Sequence, residues 1–569
     1  MSGPGVTQVL TWRPEALAEL AGQWNRAAAD LQVRADLIDR TVVGSAGAIR
    51  GVNADAARQA IGPTTTALRQ LCRSLVLAAA EARDAAVTVT GARDRVLAVV
   101  SDATNEGYPV ADDGTVSPAP EPSALLVACS GGSRSAARQM LQARATELTR
   151  LLRGALAELR AVDTEAARAI ESTFDGTHPG PPAVRPAGAA GDPVSAWPRM
   201  SQDSIAAQIA AMPAADRQRL IEQMPRQVGN TDGIPWEMRM AANRINIASA
   251  ILDERRTLDV PEAAKLRAAV PLTLDPADAE RLWAALNADP TMRAAAIAAH
   301  DRAAHRRIAY YESLLADVPD PLDRGHRIPR QILAFDPARE SLIEVSGDLG
   351  RARAIGVLVP GLNTTFDGSA DDLATARRFV AGSGGDVAMI SYLGGRFPTG
   401  SLAAGVANAA DARYALDMAP RLVAFSEDVE RRAGRIPVTY IGHSYGGSIV
   451  GTAERFGLTA DRVIYVEAAG AGVGVQKPED WHNRNPAVLR FSLTAPGDPI
   501  SLVQGIPFGS HGADPDQLPG VVRLSAGRRL TGTPMAGLSA HSDVLNEPSD
   551  AWHNILAVIT GDRERIRTR

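Results

Sequence analysis

The pentapeptide Gly442-His443-Ser444-Tyr445-Gly446 runs directly off the apolar stretch Val438-Thr439-Tyr440-Ile441 and into a pattern with Ile449, Val450 and Ala453 at helical spacing. A chain that leaves a strand and enters a helix within one residue turns on a strained backbone and brings neighbouring backbones close, so small residues must flank the tip. Glycines stand at 442, 446 and 447. Such a turn exposes the Ser444 hydroxyl. It also aims the first N–H groups of the following helix at the same spot, where negative charge developing on an oxygen would be stabilised.

This strand–serine–helix turn resembles the nucleophile elbow of α/β-hydrolases, which implies the order serine, acid, histidine along the chain. A serine hydroxyl is a poor nucleophile at neutral pH until a histidine takes its proton and a carboxylate fixes that histidine's tautomer. Beyond the elbow lie His482, His511, His541 and His553. The acid is expected after the second strand past the serine. The strand-like runs there are 462–466 and 488–493, and Thr494-Ala495-Pro496-Gly497-Asp498-Pro499 follows the second. That rigid turn makes Asp498 the leading acid, with Glu467, one strand earlier, the second candidate. Residues 521–524 read as the last strand and 549–560 as the last helix. His541, on the loop expected between them, is the base. His511 and His553 read as structural or rim residues, and His443 as a support for the elbow.

The run Ala354-Ile355-Gly356-Val357-Leu358-Val359 has the continuous apolarity of a strand covered on both faces. Pro360-Gly361-Leu362-Asn363-Thr364 follows it. The Leu362 N–H is expected to join that of Tyr445 around an oxyanion. Asn363 would bond a substrate or cap the next helix.

Further segments carry a wider resemblance. They are Pro225-Arg226-Gln227-Val228-Gly229-Asn230-Thr231-Asp232-Gly233-Ile234-Pro235 with Ala242-Asn243-Arg244, then Val359 to Thr364, the elbow with Gly447, Gly509-Ser510-His511-Gly512-Ala513-Asp514-Pro515, and Ala540-His541-Ser542. In this order, from about residue 203 to 561, the chain resembles an actinobacterial family of α/β-hydrolases catalogued as a domain of unknown function. The resemblance implies a serine-hydrolase fold and the triad, and it names no ester.

Composition excludes more than it identifies. A formal net charge of −5, with Lys265 and Lys477 the only lysines and no basic patch interleaved with aromatics, argues against nucleic acid as a partner. The apolar stretches fall short of a transmembrane segment. No basic n-region followed by an apolar segment opens the chain, so a cytoplasmic location is the default, with signal-peptide-independent export as the alternative. Cys72 and Cys129 cannot build a disulfide framework, though one bridge between them is open. Neither has a metal-ligand pattern nearby, and no metal or cofactor is expected.

Residues 1–178 read as a helical bundle, with Leu17, Leu20, Trp24, Leu31 and Ile38 on one face, and Leu141, Leu148, Leu151, Leu152, Leu156 and Leu159 on another. The bundle weakly resembles the Trp-X-Gly proteins of type VII secretion. Its bend lacks the tryptophan, and Pro109 argues against a helix at the Tyr108 to Asp112 spacing that would match the export signal. Residues 179–199 read as a Pro/Gly-rich linker, 200–329 as helices packing on the hydrolase, and 330–569 as the catalytic domain. Residues 394–410, rich in glycine, are expected to border the pocket. The fold class is thus α/β, an α/β-hydrolase fold with a mostly parallel sheet and flanking helices, preceded by all-α regions. Two functions fit. One is a serine esterase or lipase-like enzyme acting on a small-molecule or lipid ester. The other is a secretion-linked protein that meets a type VII secretion-type helical partner through the bundle, with a vestigial site.

Overall fold

The computed structural model describes residues 4–48, 52–118, 121–123, 126–127, 130, 133–174, 193–271, 274–399, 411–502, 504 and 510–569. It falls into two compact units, Met1–Arg185 with Ala248–Asp317, and Pro186–Ile247 with Val318–Arg569. Among the described residues no helix is long and apolar enough to cross a membrane.

The first unit is helical. Glu15–Ala48 pairs with Val52–Asn105, and Arg134–Ser172 packs on the latter. The fully buried seam of the first pair differs from the expected leucine face. Ala21, Ala28 and Ala35 are buried at heptad spacing, Ala21 against Ala79 and Ala82, while Leu17, Leu20, Trp24, Leu31 and Ile38 are only half-buried. Alanine lets two long helices approach closely, which leaves the larger side chains at the flanks. In the third helix Leu148, Leu152, Leu156 and Leu159 are buried with Val89 and Val96, whereas Leu151 is 38% exposed. Tyr108 is buried in the same cluster within a non-helical turn. Cys129 lies outside the described residues; Cys72 is a buried free thiol.

The sequence grouped all of 200–329 with the hydrolase, but the structure groups Ala248–Asp317 with the first unit. Asp84, buried on Val52–Asn105, accepts the Asp317 N–H at 2.9 Å, and Arg83 pairs with Glu312 at 3.6 Å. These polar anchors carried no hydrophobic periodicity for sequence reading to detect.

The second unit carries the sheet, whose strands and helices we number in chain order. They are β1 Gln331–Asp336, β2 Ser341–Ser346, β3 Ala354–Val359, α1 Ala370–Gly382, β4 Val387–Leu393, α2 Arg413–Ala433, β5 Val438–His443, α3 Tyr445–Arg455, β6 Arg462–Val466, β7 Leu489–Leu493, β8 Val521–Arg523, α4 Ala540–Asn546 and α5 Asp550–Thr560. The spatial order is β8-β7-β6-β5-β3-β4-β2-β1. β3 to β8 run parallel, and β2 and β1 are antiparallel additions at one edge. Strands β2 to β5 are buried almost throughout, as a sheet covered by helices on both faces requires. On one face Phe379 of α1 stacks on Trp552 of α5 at 4.9 Å.

The expected linker ends earlier than residue 199. Pro193–Arg199 is a short 3-10 helix whose Trp197 is buried beside Ile205 and Ile209 and donates its indole N–H to Gln208 at 2.9 Å; residues 175–192 lie outside the description. The segment 225–244, which holds part of the family resemblance, forms a buried latch. Arg239, 1% exposed, donates to the Leu333 carbonyl on β1 (3.0 Å) and pairs with Asp232 (2.9 Å) and with Asp428 on α2 (2.7 Å). Asp428 also accepts from the Trp236 indole and the Gly233 N–H, both at 2.9 Å. Buried charges survive only when paired and hydrogen-bonded in this way.

Candidate active site

After β3 the chain places β4 on one side, then crosses to place β5 on the other. Loops leaving β3 and β5 therefore diverge, and the C-terminal ends of these two strands are the place where open α/β sheets bind their ligands. The register makes that edge level: Val359 sits opposite Gly442, His443 opposite Val466, and Val466 opposite Leu493. The loop carrying Leu362, the Ser444 turn, Glu467 and the turn leading to Asp498 all start from this row.

Ser444 caps α3 with φ 54° and ψ −120°. A non-glycine residue there stores about 1–3 kcal/mol of strain, so its surroundings must hold it. Its N–H donates to Val466 O at 3.0 Å, and its carbonyl accepts from Ala469 N at 3.0 Å and Gly447 N at 3.1 Å. Close approach explains two of the glycines. A Cβ on Gly446 would lie 2.1 Å from Val359 O, and one on Gly361 would lie 2.7 Å from Ser444 Cβ. Ser444 is 7% exposed, and its Oγ makes no hydrogen bond among the described residues.

Tyr445 is the first residue of α3, so its N–H has no acceptor within the helix. The Leu362 N–H likewise has no acceptor among the described residues. The loop carrying it is pinned by the Asn363 N–H, which donates to Pro398 O at 2.9 Å with Asn363 at φ 66°. Phe397 beside that contact is buried; 400–410, the rest of the segment expected at the pocket, lies outside the described residues.

Asp498, 1% exposed, accepts from His541 Nδ1 on Oδ2 and from the Ile500 N–H on Oδ1, each at 2.8 Å. A carboxylate only accepts, so Nδ1 carries the proton and Nε2 keeps a lone pair. Burial pushes Asp498 up, but the hydrogen bonds from His541 and Ile500 outweigh it and hold the carboxyl below its ordinary range. His541 is the second residue of α4 rather than part of a loop, and its side chain is 29% exposed. Its carbonyl accepts from His443 Nε2 at 2.7 Å. A carbonyl cannot donate, so that nitrogen must. Burial and the adjacent His541 push His443 down to about 4, which keeps it neutral in this role.

The other histidines beyond the elbow are engaged elsewhere. His511 is buried with Nδ1 2.8 Å from Ser448 Oγ and its ring edge-on to Tyr445, while His482 and His553 bond the backbone carbonyls of Arg455 and Ser549. The Tyr445 hydroxyl donates to Asp411 O. The His443–His541 and Ser448–His511 contacts were invisible beforehand, since each joins segments that only the fold brings together. Glu467 sits behind Asp498. One donor atom each of Glu467, Asp498 and His541 falls within 4.8 Å of the others, close enough for a cation, but the Nδ1–H proton already joins two of them and the group reads as a hydrogen-bonded cluster.

The family whose description is alpha/beta hydrolase matches residues 336–503, a span holding Leu362, Ser444, Tyr445, Glu467 and Asp498 and ending before His541. No curated protein matches the chain. With the strand order above, that similarity makes the C-terminal region an α/β-hydrolase fold and points to hydrolase chemistry.

Proposed function

We propose that the chain is a serine hydrolase that cleaves a carboxylic ester through Ser444, His541 and Asp498 with a covalent acyl-enzyme. The observation that carries the reading is the 2.8 Å bond from His541 Nδ1 to a buried, ionised Asp498, level with a serine held at φ 54°. His541 Nε2 takes the Ser444 proton as Oγ attacks the ester carbonyl. The Tyr445 and Leu362 N–H groups, neither with an acceptor among the described residues, receive the oxyanion. The proton then passes from His541 to the departing alcohol, and water repeats the sequence on the acyl-enzyme. Labelling with a fluorophosphonate probe tests the reading. Wild type should label and Ser444→Ala should not; equal labelling of both would sink the assignment. A panel of p-nitrophenyl esters of graded chain length would then rank acyl preference.

A second reading, docking of a helical partner on the N-terminal helices, draws support from that unit having a core of its own. It is compatible with a working site, and an unlabelled wild type would favour it.

A further inference from the structure

Glu467 stands at the end of β6, yet it is Asp498 that holds the histidine. Its side chain is completely buried on a backbone of φ 44°. One oxygen accepts the Ala495 N–H at 2.9 Å, and Oε2 has no hydrogen-bond partner among the described residues. A carboxyl oxygen of Glu467 lies within 4.8 Å of both an Asp498 oxygen and a His541 ring nitrogen. The titratable groups facing it are Asp498 from the turn after β7, Asp516 from the short helix Pro515–Gln517, and His541 from α4, already committed to Asp498, with neutral His443 of β5 behind it. No described cation pairs with Glu467. Two carboxylates cannot both ionise at this range in a dry interior, and one keeps its proton.

We infer that Glu467 is a neutral acid and a positioning residue, directing its carboxyl proton toward Asp498 and setting how strongly Asp498 polarises His541. This rests on the triad reading above. The hydrogen bond draws negative charge from Asp498, so the imidazolium is stabilised less and the neutral base persists to lower pH. Burial, and then the charge of Asp498, push Glu467 up to about 10, in keeping with that state.

Two substitutions separate charge from position. Glu467→Gln keeps a neutral donor, so the acid limb of the kcat/KM profile on a p-nitrophenyl ester should stay where the wild type has it. Glu467→Leu removes the donor, and should move that limb to higher pH while lowering kcat/KM about tenfold. A downward move of the limb in Glu467→Gln would mean that a negative charge had been removed, and an unmoved limb in Glu467→Leu would mean that the residue does not act through Asp498; either overturns the inference. Stability supplies a readout independent of activity. A folded-state value near 10, above the unfolded value of 4.5, gives stability that is full below pH 4.5 and is lost progressively as pH rises toward 10. Glutamine does not titrate, so the thermal midpoint of Glu467→Gln should gain on wild type from pH 5 to pH 9, and a constant gap would count against a neutral Glu467. Turnover surviving in Ser444→Ala would instead overturn the triad while leaving this stability result standing.

Discussion

Two serines stand one turn apart at the start of helix α3, and their surroundings differ in every respect that matters for reactivity. Ser448 lies inside the helix, 0% exposed, bonded at 2.8 Å to a His511 that is itself only 4% exposed. Ser444 stands on the strained tip, its hydroxyl bonded to nothing among the described residues, and the histidine proposed to serve it is 29% exposed and backed by a carboxylate. A hydrogen bond between serine and histidine is therefore poor evidence of a nucleophile. What distinguishes the proposed one is a free hydroxyl, an oriented base and a place for charge to develop. The buried pair instead braces the ring of Tyr445, whose backbone N–H is a proposed oxyanion donor.

The sharpest way to break this contrast is to exchange the roles by mutation. Ser444→Ala should lose several orders of magnitude in turnover, keeping about 10³- to 10⁴-fold over water, with its thermal midpoint little changed. Ser448→Ala should keep turnover of the wild-type order; steady-state kinetics with the reverse pattern would transfer the nucleophile to Ser448. Next in size is Gly361→Ala, whose added methyl would meet Ser444 Cβ at 2.7 Å. Displacing a reacting group by a fraction of an ångström should cost about 10²-fold in kcat, and unaltered kinetics would show that this loop does not set the serine's position. In stability the order of the two serines reverses. Ser448→Ala leaves a buried imidazole nitrogen without its hydroxyl and should cost about 1–3 kcal/mol in urea unfolding.

The smallest effect concerns His443. Its folded value of about 4 lies below the ordinary 6.5, so its contribution to stability is present above pH 6.5 and is lost as pH falls through about 4. His443→Gln keeps an N–H donor for the His541 carbonyl without a titrating ring. The drop in thermal midpoint between pH 7 and pH 4 should therefore shrink in this variant; an identical drop would show that His443 is not held neutral.

The sheet was legible in the sequence because strands covered on both faces are written as unbroken apolar runs, as at Ala354–Val359, and the tight strand-to-helix turn at Ser444 because glycine is the one residue that fits against Val359 O. The alanine seam at Ala21, Ala28 and Ala35 was not, since alanine contributes little to a hydrophobic pattern although it decides how closely helices approach. Residues 225–235 with 242–244 stood out as a motif without disclosing the purpose of this region, because Asp428 and Leu333, which receive Arg239, lie far along the chain. Asp498 and His541 could be proposed from their order alone. The state of Glu467 could not, since it depends on which carboxylate the next strand places beside it.

The level row of strand ends has a consequence for how the molecule comes into being. Leu362, Ser444, Asp498 and His541 depart from strands or helices separated by long crossovers, and β3 gains its second neighbour only after β4 and α2 have been threaded. Loop closure on that scale is slow, and parallel pairings of high sequence separation form late. No sheet lacking β3, β5 or β7 brings the proposed site residues together. During refolding, the activity proposed for this site should then be the last property to return, after helical signal and burial of tryptophan have recovered.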